Sequence, residues 1–122
     1  MKLRIRGNSV RLRLEQAEVE AFARDGQIAD RSALSVDGAL EYGLLTADID
    51  TVELAYTGPS LTVRVPRGLA HHWTESDDVG FDAQVAVGEE TVKVLVEKDF
   101  RCLHKRPGED ESDQYPHPAE AG

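Results

Sequence analysis

A chain of 122 residues with 40% apolar content has the length for one domain that folds without disulfides or metal. Its net charge of −9 argues against general nucleic-acid binding, which draws its affinity from clustered Lys and Arg, and one cysteine excludes an internal disulfide. No apolar run approaches the roughly 20 residues of a bilayer span and the N-terminus lacks a signal-peptide core, so the expectation is a cytoplasmic protein with no membrane partner.

In chain order, Leu3, Ile5 and then Val10, Leu12, Leu14 alternate with Lys2, Arg4, Arg6 and Arg11, Arg13, the period of two expected of strands with one buried face. Gly7-Asn8 between them is a hairpin signal. Residues 15–25 follow with Val19 and Phe22 three apart and Gly26 where a C-terminal cap belongs, which predicts a helix. Gln27 to Val36 places Ile28, Leu34 and Val36 on one parity, and Asp37-Gly38 predicts a type I′ turn into a strand over 39–47. The first 24 residues hold six basic side chains against three acidic ones, a net +3, so the remainder carries −12.

The same order returns at an offset of 51 residues. Leu3 corresponds to Leu54, Ile5 to Tyr56, Gly7 to Gly58, Leu12 to Val63, Arg13 to Arg64, Leu14 to Val65 and Phe22 to Trp73, with Ile28, Leu34 and Val36 falling on Val79, Val85 and Val87. Gly58-Pro59 turns the first hairpin of this half, and Pro66 sits at or near the first helical position. The helix is predicted to end near Ser76, before a closing hairpin around Gly88-Glu89-Glu90. The expected fold is therefore α+β: two pseudo-symmetric ββαββ repeats, about 2–47 and 53–98, joined into one curved, mainly antiparallel sheet or barrel capped by two helices. They form one domain over 1–106, and 107–122 is an acidic, Pro-containing C-terminal tail.

Three constellations carry chemistry. Arg4, Arg6, Arg11 and Arg13 share one side of two adjacent strands, with Lys2 at the edge. Guanidinium groups bind phosphate or carboxylate through paired hydrogen bonds; the plain alternative is a solvated face whose charge discourages aggregation. A variant brings the acidic run Glu109, Asp110, Glu111, Asp113 onto those arginines. If the sheet closes with the arginines inside, they line a cationic tunnel with Lys98, Glu97 and Asp99, suited to metal-assisted cleavage of a phosphorylated substrate. Second, Cys102 and His104 with Glu97 and Asp99 offer thiolate, imidazole and carboxylate to zinc or another divalent metal, although a single Cys-x-His has low specificity and the plain reading packs Phe100, Cys102 and Leu103 under the tail. Third, His71 and His72 point about 100° apart on a helix and do not share a metal; His72 is expected to be partly buried and His71 exposed.

Over almost its whole length the chain resembles a small bacterial family of uncharacterised proteins, on the RIRGNSVRLRL hairpin and the ending EKDFRCL with its following acidic run. The resemblance implies no activity and transfers no catalytic residue. The leading expectation is a non-enzymatic domain that binds a protein partner or a small anionic ligand, without a cofactor. The alternatives are the metal-dependent enzyme and a homodimer paired through a strand edge.

Overall fold

The computed structural model describes residues 1–99. Strands β1 (Lys2–Arg6) and β2 (Ser9–Leu14) lead into helix α1 (Gln16–Asp25) and strands β3 (Gln27–Ala33) and β4 (Ala39–Ala47). Strands β5 (Glu53–Thr57) and β6 (Ser60–Pro66), helix α2 (Arg67–Glu75) and strands β7 (Gly80–Val87) and β8 (Glu90–Lys98) complete the order. The α+β class and this succession of elements are those that the alternation predicts. Two hairpin turns explain themselves: Gly7 and Gly58 take φ of 54° and 58°, and Asn8 and Pro59 follow them, so each turn has its positive φ at the first central residue, where glycine costs nothing.

The single curved sheet or barrel is not formed. Two open sheets stand in its place, ordered β1-β2-β8-β7 and β3-β4-β6-β5. Each joins two antiparallel hairpins through one parallel contact, Leu12 beside Val96 in the first sheet and Leu44 beside Val63 in the second. Each half of the chain thus sends one hairpin to each sheet. The strands alternate, so every sheet has one apolar face, and an apolar face requires a covering layer. Leu12 and Leu14, Leu44, Val63 and Val65, Val94 and Val96 fill one core with Phe22 and Trp73, and all of these side chains are almost fully buried. The two aromatic residues expected to point into the core do so, with ring centroids 6.3 Å apart.

Two local expectations fail. Leu34 and Val36 belong to the loop after β3 and are exposed, and Asp37-Gly38 is not a type I′ turn, since neither residue has a positive φ. The loop closes instead through the amides of Leu34 and Ser35, which both donate to the Gly38 carbonyl. Because β3 opens at Gln27 and β7 at Gly80, the offset of 51 does not survive the helices. Pro66 does lie next to the first helical position, as the N-cap of α2.

Strands β3 and β4 approach so closely at Gly43 that a Cβ there would overlap the Ile28 carbonyl oxygen and lie 2.7 Å from Ala29 Cα. Gly43→Ala is therefore expected to force β3 aside and cost about 1–3 kcal/mol. A urea midpoint unchanged from the parent would show that the approach is not that tight.

Candidate functional site

The first hairpin places Lys2 opposite Arg13, Arg4 opposite Arg11 and Arg6 opposite Ser9. Val10, Leu12 and Leu14 are buried on the other side of β2, so all five cations lie on the outer face of the first sheet. Strand β8 runs parallel to β2 and sets Lys93 beside Ser9, Leu95 beside Arg11 and Glu97 beside Arg13. Glu97 is the principal counter-charge. Arg11 donates to its Oε1 from Nε at 2.9 Å and pairs with it through Nη2 at 2.6 Å, while Arg13 Nε lies 3.7 Å from the same oxygen. That Nε is shielded from water and has no hydrogen-bond partner among the described residues. Lys2 Nζ reaches Asp99 at 3.7 Å. Arg4, Arg6 and Lys93 are exposed and have no ion pair among the described residues.

Like charges directly opposite one another on adjacent strands destabilise a sheet by about 0.2–1 kcal/mol per pair. The β5–β6 hairpin has the same register and provides the comparison: Glu53 stands opposite Arg64 and is bonded to it at 2.8 Å, Ala55 faces Thr62 and Thr57 faces Ser60. A hairpin of this shape therefore needs no stacked arginines, and β1–β2 carries two like-charge pairs that folding alone does not require.

The other candidate residues are dispersed. Lys98 does not join the arginines: it shares the parity of Val94 and Val96, donates to the Ser76 carbonyl at 2.7 Å and lies 5.7 Å above the Trp73 ring. There it neutralises the C-terminal end of α2. The tunnel is absent too, since the sheets are open and the arginines face outward. Glu97 and Asp99 are placed, but Cys102, His104 and the acidic run lie outside the described residues, among which no three His, Cys, Asp or Glu side chains converge on a metal position. His71 is exposed as expected. His72 is exposed as well, against expectation, and pairs with Asp78 at 2.9 Å. The buried stripe of α2 is Ala70 and Trp73, which leaves both histidines outside it.

Two concavities were not apparent from the sequence. A cleft of about 170 Å³ lies between the helices, with Arg67, His71 and Glu75 along one wall. A shallow groove of about 510 Å³ crosses the second sheet over Ala29, Gly43 and Thr62.

The amino group of Met1 was also not foreseen. It donates to Glu18 Oε2 at 2.6 Å and Asp30 Oδ2 at 3.2 Å, tying β1 to α1 and β3. Burial pushes the pKa of this amine down, but the hydrogen bonds and charges of Glu18 and Asp30 together outweigh it, so the amine titrates above its ordinary 8.0. A raised folded-state value means that the contribution to stability is complete below pH 8 and lost as pH rises through the folded-state value. Acetylating this amine is expected to cost about 1 kcal/mol at neutral pH. The difference in melting temperature from the free-amine protein should vanish in alkali; an equal difference at both pH values would contradict the ionic account.

Among the described residues, no helix is long and apolar enough to cross a membrane. No curated protein and no solved structure matches the chain significantly. The pattern that defines a family of unknown function, DUF7009, matches residues 1–119, and the chain belongs to that family.

Proposed function

We propose that this protein is a cytoplasmic, non-enzymatic binding module whose cationic outer face, formed by Arg4, Arg6, Arg11 and Arg13, holds an acidic protein segment or a small anion. One observation carries the reading: Arg4 stands opposite Arg11 and has no counter-ion among the described residues, at a position where the β5–β6 hairpin has Ala55 and Thr62. An arriving anion would relieve that repulsion, and the planar guanidinium groups would engage carboxylate or phosphate in pairs.

The duplicated ββαββ unit belongs to the same proposal. The shared register of the two leading hairpins, Lys2 with Arg13 and Glu53 with Arg64, supports it. On this reading, one copy acquired the arginines and the other kept a neutral face.

Calorimetric titration with a glutamate-rich peptide and with inorganic polyphosphate tests the function. Binding is expected at low ionic strength, weakening as salt is raised because exposed charges are screened over about 10 Å at 0.1 M. Absence of heat with either polyanion at low salt would overturn it.

A further inference from the structure

Resting on that reading, we infer that the chain's own acidic segment, Glu109 to Asp113, occupies the cationic face in the free protein, so that an anionic partner binds by displacing it. The exit point of the chain is the first support. Strand β8 is an inner strand beside β2, and beyond it the Asp99 amide bonds the Leu14 carbonyl at 2.8 Å, while the Asp99 carboxylate lies beside Lys2. The chain therefore leaves the described fold at the Lys2 end of the arginine face.

Reach is the second support. The ten-residue step from Asp99 to Glu109 spans up to about 33–36 Å, whereas Arg4 and Arg6 lie only two and four residues along β1 from Lys2, about 7 and 14 Å. Charge is the third. Residues 107–122 hold five carboxylates and no Lys or Arg, and the face that they would meet has Arg4, Arg6 and Lys93 unpaired among the described residues. A short tether gives the segment an effective concentration of about millimolar order, enough for a weak ion-pair contact to be substantially occupied and still yield to a tighter ligand.

The test uses the full chain with Cys102→Ser and Ser112→Cys, the new thiol carrying a nitroxide, and reads paramagnetic broadening of backbone amides by NMR. The amide signals of Arg4, Arg6 and Arg11 are expected to fall to about half or less at low salt and to recover at high salt. A companion full-length variant, Glu109→Gln with Asp110→Asn, Glu111→Gln and Asp113→Asn, should lose the broadening and bind the glutamate-rich peptide roughly tenfold more tightly, a change of about 1.4 kcal/mol. Uniform signals along β1 and β2 at low salt, or a neutralised chain with unchanged affinity, would overturn the inference while leaving the anion-binding face intact. Broadening in the parent, with no peptide binding to the neutralised chain, would uphold the docked segment and overturn the external partner.

Discussion

Trp73→Ala is expected to lower the melting temperature by roughly 10–25 °C. Trp73 is 1% exposed. Its ring stands edge-on to Phe81 at 5.5 Å and tilted to Phe22 at 6.3 Å, its indole N–H donates to the Val79 carbonyl at 3.2 Å, and Lys98 Nζ lies above it at 5.7 Å. Truncation leaves a cavity and removes the indole hydrogen bond, although the Val79 carbonyl keeps the Lys98 amide at 2.8 Å; about 3–5 kcal/mol is a representative cost, a large part of the roughly 5–15 kcal/mol that holds a domain together. Trp73→Phe keeps much of the volume and loses the indole hydrogen bond, so it should fall between parent and alanine variant. Thermal melts followed by circular dichroism decide the matter. An alanine variant melting within about 5 °C of the parent would show that the core is not centred on this ring.

Arg4→Gln with Arg6→Gln should have the opposite signature, a loss of binding without a loss of stability. Neither side chain is ion-paired among the described residues, and removing Arg4 relieves its repulsion with Arg11. The unfolding midpoint should therefore stay the same or rise, by at most about 1 kcal/mol. Each guanidinium removed from a charge-assisted contact costs about 1.5–3 kcal/mol, and partial exposure lowers that, so affinity for the glutamate-rich peptide should fall roughly 10–100-fold. Arg11 is the wrong choice for this test because its loss would leave Glu97 without its closest cation. Unchanged peptide affinity in the double variant would reduce the face to solvated surface.

The contrast between these variants follows from what alternation encodes. Period two in Val10, Leu12, Leu14 and Arg11, Arg13 separates a core side from a charged side before any neighbour is known, and the buried set of β2 follows it. Applied to β8, the same rule puts Lys98 on the core side with Val94 and Val96 and Glu97 on the outer side, so parity separates Lys98 from the arginines. Leu34 and Val36 show the limit of the rule. Their parity extended a strand that ends at Ala33, where the loop bonds to Gly38 take over.

Residue pattern alone determined the buried side of β2, that Phe22 and Trp73 anchor the helices, and that four arginines share a face. Tertiary structure alone decided that β8 lies beside β2 and β6 beside β4, because a strand's alternation specifies its buried face and carries no record of which strand will bond its edge. That choice brought Glu97 to Arg11, left Arg4 and Arg6 without an ion pair among the described residues, and opened two sheets over one core.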